Sequence, residues 1–167
     1  LARAPETLQA LLDRQAITDR IHDYARSMDR LDGPLGKSCF HEDAIADYGE
    51  QMFVGGGHEF VDMCMKVHPA FAAHAHQFSN IRIWLDGPDK ARSETYCDVT
   101  LRRIGEDGTP YDIRNLGRYV DNWEKREGEW RIARRRYLVD MDQSGPNAGT
   151  FETTGKRDRT DPSYFGQ

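Results

Sequence analysis

Two histidines stand two residues apart, His74 and His76 in "AAHAHQFSNIRIWL", just ahead of an alternating apolar run. If a strand already begins there, both imidazoles point to one face of it. Imidazole takes and returns protons near neutral pH, and it also ligates metals. As a base it needs a partner that fixes its tautomer. Asp29 in "YARSMDRLD" is a candidate for that partner. It follows Met28 directly and Ala25 by four residues on a helical pattern, which sets its carboxylate on or beside the apolar stripe. A carboxylate there needs a hydrogen-bond donor. Arg26 or Arg30 could supply one at the surface, or a histidine arriving from another element could supply one inside. The residues alone leave both open.

Of the six histidines, His22 falls on the polar edge of the first helix. His41, His58 and His68 lie in or beside turns and are expected to be solvated. A metal site would need a third ligand, and the chain has neither an H-E-x-x-H nor a facial-triad pattern. The expectation is therefore no metal and no cofactor. Aromatic residues are numerous enough to line both a core and a cavity. Tyr48, Phe53, Phe78, Tyr96 and Tyr119 are the expected substrate-binding set, and "RIARRRY" (Arg131 to Tyr137) is expected to turn its arginines to solvent or to a subunit contact.

These side chains must be positioned by helices that come first and strands that come last. From Pro5 to about Asp32, Leu8, Leu11, Leu12, Ile17, Ile21, Tyr24, Ala25 and Met28 recur at spacings of three and four, the pattern of one amphipathic helix. "LDGPLG" breaks it. A short strand is expected around Ala44 to Tyr48, and a short helix from about His58 to Lys66 that ends near Pro69. From His76 onward "NIRIWL", "ARSETYCDVTLRRI", "YDIRNLGRYVDNWEK" and "EWRIARRRYLVDM" read as long strands joined by tight Gly-containing turns. The fold class is α+β, a curved antiparallel sheet with the N-terminal helices packed on one face. One domain is expected over residues 1–143. The polar stretch over residues 144–167 reads either as a partly disordered end or as a cover that lays Phe151, Tyr164 and Phe165 over a pocket or a neighbouring subunit.

Composition narrows the functional classes. At 167 residues the chain suits one domain. With 23 basic against 28 acidic residues the net charge is −5, which argues against nucleic-acid binding through a general basic surface. No run approaches the roughly 20 apolar residues of a membrane span, and none reads as a signal peptide. Cys39, Cys64 and Cys97 have no CxxC spacing and read as reduced thiols of a cytoplasmic protein.

The order of long first helix, "FHEDAIADYG", glycine turn, "HQFSNIRIWL" and final strands ending "EWRIARRRY" resembles the SnoaL-like branch of the nuclear-transport-factor-2-like superfamily, from about Leu8 to Met141. Within it, the chain is most similar to the dehydratase and dehydrohalogenase group, which includes scytalone dehydratase, hexachlorocyclohexane dehydrochlorinase and bile-acid 7α-dehydratase. The resemblance implies a cone-shaped pocket and a catalytic Asp–His dyad, here Asp29 and His76. Tyr24, five residues before Asp29, stands where the bile-acid enzyme has a tyrosine. Two features depart from the group. "YCDVTLRR" carries no second histidine, and Arg134 to Arg136 sit in a shifted frame relative to that enzyme's arginine.

The activity so implied is a cofactor-free elimination on a small apolar substrate, alicyclic, aromatic or steroid-like. His76 would remove a carbon-bound proton, Asp29 would stabilise the imidazolium, and Tyr24 or Tyr48 would donate a hydrogen bond. The resemblance also implies a homo-oligomer, a trimer before a dimer. Three other readings compete: an isomerase on the same dyad, the structural small subunit of an aromatic-ring-hydroxylating dioxygenase, and a ligand-binding module without chemistry.

Overall fold

A computed structural model describes residues 7–147, 149 and 153–165. Helix α1 (Leu8–Arg30) starts where the Thr7 hydroxyl accepts from the Ala10 N–H at 3.1 Å, and stops at Leu31 in the left-handed region, φ 53°. It buries Ile17, Ile21, Tyr24 and Met28, one face at helical spacing. The expected stripe is shorter than drawn: Leu8, Leu11 and Leu12 are exposed. The buried face begins instead with Asp13, whose Oδ1 accepts from Trp130 Nε1 at 2.8 Å and Lys125 Nζ at 2.9 Å. The break at "LDGPLG" is a restart. Asp32 caps a six-residue helix, α2 (Gly33–Ser38), by accepting from the Leu35 N–H at 3.1 Å, and Pro34 stands in its first turn.

Strand β1 (Phe40–Asp47) leads through a turn to β2 (Val54–Gly56), then α3 (Gly57–Val67) and a 3-10 turn (His68–Ala70). Four long strands follow: β3 (Ala73–Leu85), β4 (Lys90–Ile104), β5 (Pro110–Arg126) and β6 (Glu129–Pro146). With β1 and β2 they form one curved, unclosed six-stranded sheet in the order β2-β1-β6-β5-β4-β3, with α1 packed on it. This is the α+β class expected. Not every pair is antiparallel, however: β1 runs parallel to β6. The connection between them is most of the domain, long enough for a parallel pairing.

Two local features set the side-chain registers. The β5–β6 hairpin turns on Glu127 (φ 53°) and Gly128 (φ 86°), both left-handed, as a two-residue turn that matches strand twist requires. In β3, pairing with β4 shifts between Ser79 and Arg82, and Asn80 sits at φ 49°. This bulge inserts one residue, so the inward parity changes from His74, His76 and Phe78 to Ile81, Ile83 and Leu85. Without it, the histidines and the apolar run would face opposite sides of the sheet.

Beneath the helices lies a core of Phe40, Val61, Trp123, Trp130 and Ile132 with the α1 stripe. The three cysteines are free and buried. No described helix is long and apolar enough to cross a membrane. The last strand reaches Pro146, three residues past the expected domain boundary. Residues 153–165 then return to α1: Arg26 hydrogen-bonds Ser163 and stacks on Tyr164, and Arg30 pairs with Asp161. Tyr164 is buried and Phe165 fully outward, while Phe151 lies outside the described residues.

Candidate active site

Asp29 ends α1 one residue before its last, and the carboxylate meets the first strand of the long hairpin. His76 Nδ1 donates to Asp29 Oδ1 at 2.7 Å, and the His76 backbone N–H lies 3.1 Å from both carboxylate oxygens. The donor that Asp29 needs is thus inside, and neither Arg26 nor Arg30 supplies it. Arg26 is spent on Ser163 and Arg30 on Asp161. Burial pushes the Asp29 carboxyl up, but the His74 and His76 imidazoles beside it outweigh that and hold the group at about 2. It is therefore ionised at neutral pH. With Nδ1 committed to the carboxylate, the ring's other nitrogen faces away from it.

His76 opens on a cavity of about 100 Å³ between α1, α3 and the sheet, lined among others by Tyr24, Tyr48, His68, Asn115 and Tyr119. Tyr24 and Tyr48 share a hydrogen bond of 3.0 Å between their hydroxyls. Burial raises both phenols, Tyr48 to about 12, so both remain protonated donors. Tyr48 is held by stacking on Phe60, 3.8 Å between ring centroids, and Tyr24 by stacking on Phe78 at 6.3 Å. The mouth is edged by Met52, half-exposed in the β1–β2 turn.

Of the expected substrate-binding residues, Tyr48 and Tyr119 line this cavity. Phe53 and Phe78 stand one layer behind, against Phe60 and against Tyr24 and Tyr119. Tyr96 is a correction. Its position in β4 points to the opposite face of the sheet, where it is exposed and Arg118 lies over its ring. Strand alternation is the reason: Cys97 and Val99 face in, so Tyr96 cannot.

His22 is exposed on α1 as expected, but the three turn histidines are a second correction. His41 is buried with Nε2 2.9 Å from the Glu124 carbonyl, and His58 Nε2 is 3.3 Å from the Phe40 carbonyl. His68, expected in solvent, lines the cavity and lies nearly parallel to His76 at 6.2 Å. Burial, with His74 and His76 adjacent, drives its pKa down to about 4, which keeps it neutral at physiological pH. "VHPAF" carried one usable signal, since Pro69 stops α3 and turns the residue before it back toward the sheet.

Arg135 is the third correction. Its neighbours Arg134 and Arg136 face outward, but Arg135 is fully buried, paired through two hydrogen bonds of 2.9 and 2.8 Å with the buried Asp121. Its guanidinium packs 4.3 Å from the Tyr24 ring and 4.0 Å from the Tyr119 ring. A basic run is expected to be a solvated face; a register shift that inserts one residue in β6 between Ile132 and Arg134 moves the inward parity from Trp130 and Ile132 to Arg135, and Asp121 on the paired strand neutralises it.

A curved sheet wrapped on one long helix, with the imidazole of an Asp–His pair lining an apolar hollow between them, is the nuclear-transport-factor-2-like class of fold. The profile of the SnoaL-like domain matches residues 9–136, and the chain belongs to that family. Among solved structures it is similar to hexachlorocyclohexane dehydrochlorinase (LinA) type 2, at 22% identity over 89% of this chain and 98% of that one, TM-score 0.75. LinA type 3 from Novosphingobium barchaimii gives 21% identity over 87% and 97%, TM-score 0.72. A structure from Novosphingobium aromaticivorans described as a candidate scytalone dehydratase gives 22% over 86% and 98%, TM-score 0.71. At these identities the likeness is one of fold. Comparison with curated proteins finds no match.

Proposed function

We propose that the protein is a cofactor-free lyase that removes a carbon-bound proton from a small apolar substrate and expels a β-leaving group, hydroxyl or halide. The observation that carries this reading is the 2.7 Å hydrogen bond from His76 to an ionised, largely buried Asp29 at the wall of an apolar cavity. His76 takes the proton on its cavity-side nitrogen. Asp29 stabilises the imidazolium and fixes the ring. The Tyr24–Tyr48 hydroxyl pair donates to the departing group or to a carbonyl that acidifies the proton. Arg135, packed on the rings of Tyr24 and Tyr119, adds positive charge where electron density collects. Neighbours named for dehydrochlorinase and dehydratase activities support the reaction class.

The cavity of about 100 Å³ favours a single ring over a steroid nucleus, with any larger part lodged at the Met52 mouth. An isomerase would use the same first step and return the proton to another carbon. Both fates are distinguished by the product. A self-association of the chain into a trimer or dimer through the outer sheet face belongs to the same proposal, as does a tail that closes over the back of the dyad.

The test is deuterium incorporation from D₂O into cyclic ketones, and dehydrochlorination of hexachlorocyclohexane, for wild type and His76→Ala. General base catalysis contributes about 10²- to 10⁴-fold, so the variant is expected to lose at least 10²-fold of any exchange or turnover. Equal rates in the two proteins would reject the role of His76. Co-purification with an iron-bearing partner and no exchange would favour the structural-subunit reading.

A further inference from the structure

Asp29 is served by more than one imidazole. His74, two residues before His76 on the same face of β3, has its Nδ1 3.5 Å from Asp29 Oδ1. Its side chain is fully buried, yet neither ring nitrogen makes a well-formed hydrogen bond. A buried polar atom left so has given up its hydrogen bonds to water without replacing them. A histidine with two such atoms calls for a ligand, not for packing. The ring of His68 stands 5.1 Å from that of His74, and its Nδ1 is likewise buried without a partner. One carboxylate and three imidazoles therefore converge, and the carboxylate is held in its charged form.

We propose that Asp29, His74 and His76 form a binding site for a divalent transition metal of the zinc class, and that occupancy switches the dyad off. The ligand atoms of these three residues all lie within 4.8 Å of one another. Tetrahedral zinc, with bonds of about 2.0–2.2 Å, sets its ligand atoms roughly 3.3 Å apart. The 2.7 Å Asp29–His76 contact must open slightly and the wider separations close, which side-chain rotation achieves. The ligands are one carboxylate and two imidazoles, a donor set suited to zinc and its neighbours rather than to magnesium or calcium. Entry need not pass the inner cavity. Asp29 and His74 also line a separate hollow of about 490 Å³ under residues 153–158, beside Asp158. Sequence pattern offered only two of the ligands. The third arrives from α1, 47 residues upstream of His76.

The inhibitory effect follows from the tautomer and rests on the lyase reading. In the working state the neutral His76 ring carries its proton on Nδ1, which donates to Asp29, and keeps Nε2 free as the base. A metal can bind Nδ1 only in the other neutral tautomer, so binding displaces the proton from Nδ1 and the ring carries its one proton on Nε2. The nitrogen that must be empty is then filled. The metal also neutralises the charge with which Asp29 stabilises the imidazolium.

The experiment titrates Zn²⁺ into chelator-stripped protein against a chromophoric chelator, with Co²⁺ as a spectroscopic stand-in. Wild type is expected to bind one equivalent, His74→Asn to bind at least about tenfold more weakly, and His22→Asn, altered at an exposed residue, to bind as wild type does. The proposal is overturned if wild type binds no more tightly than His74→Asn, or if His22→Asn loses as much. Deuterium exchange is measured in parallel on metal-free and zinc-loaded protein. Zinc should stop exchange by wild type over the range in which it binds. Whatever exchange His74→Asn retains should persist at those concentrations. Binding without any exchange in the metal-free protein would leave the metal site standing and reject the lyase; exchange that zinc leaves untouched while bound would reject the switch.

Discussion

At the residue scale, chemistry depends on which partner each titratable group meets, and this is where reading and structure divide most. Asp29 and His76 were legible as candidates, because a carboxylate on an apolar helix stripe and an imidazole at a strand mouth are each expensive alone, while their pairing came from the family resemblance. His68 was not, since Pro69 in "VHPAF" signals only that α3 ends there, and the contact of the 3-10 turn with His76 is made between elements. The phenol pair yields a clear expectation. Tyr24→Phe keeps the ring stacked on Phe78 and removes only one hydroxyl of the 3.0 Å pair. Loss of one donated hydrogen bond is worth about 1 kcal/mol, so kcat/KM should fall about five- to tenfold with little change in thermal stability. A variant at wild-type rate would remove Tyr24 from the mechanism and leave Tyr48 as donor.

At the scale of elements, the decisive feature is the bulge in β3. Period-2 alternation read from "NIRIWL" is right for Ile81, Ile83 and Leu85 and, extended back, puts His76 on the wrong face. Asn80 in the left-handed region absorbs the extra residue. Asn→Ala there should cost about 1 kcal/mol, because a Cβ without a locally bonding side chain is disfavoured in that conformation, while Asn80→Gly should not. Deleting Asn80 should restore regular pairing and turn His74 and His76 outward, abolishing proton exchange; a deletion variant that folds and still exchanges would contradict this account. The buried pair between β5 and β6 makes a second case. Asp121→Asn leaves the Arg135 guanidinium uncompensated in the core, with an expected loss of about 3–5 kcal/mol in urea unfolding. The paired change to Asp121→Leu with Arg135→Met should recover part of it. Equal losses in both would mean that the charge was not the cause.

For the whole molecule, acid should act in two windows. His68 has a folded pKa of about 4, below its unfolded value, so the unfolded chain takes up a proton first and stability declines as pH falls from about 6.5 to 4. Asp29 has a folded pKa of about 2, below the ordinary 3.8, so its contribution is complete above about 4 and is lost as pH falls toward 2. That contribution is on the order of 2 kcal/mol. The stability gap between wild type and Asp29→Asn should therefore stay constant from neutral pH to about 4 and shrink below it; a gap that closes near pH 6 would assign the linkage elsewhere. Local pattern alone was sufficient for the order of helices and strands and the α+β class, because periodicity and capping act between residues a few positions apart; it marked Asp29 and the two histidines as candidates, and only the family resemblance paired Asp29 with His76. It was not sufficient for the inward turn of Arg135, the outward turn of Tyr96, the parallel pairing of β1 with β6, or the gathering of three imidazoles around one carboxylate. Those depend on register between strands distant in the chain, where a one-residue bulge reverses every face and only the assembled sheet selects among the alternatives.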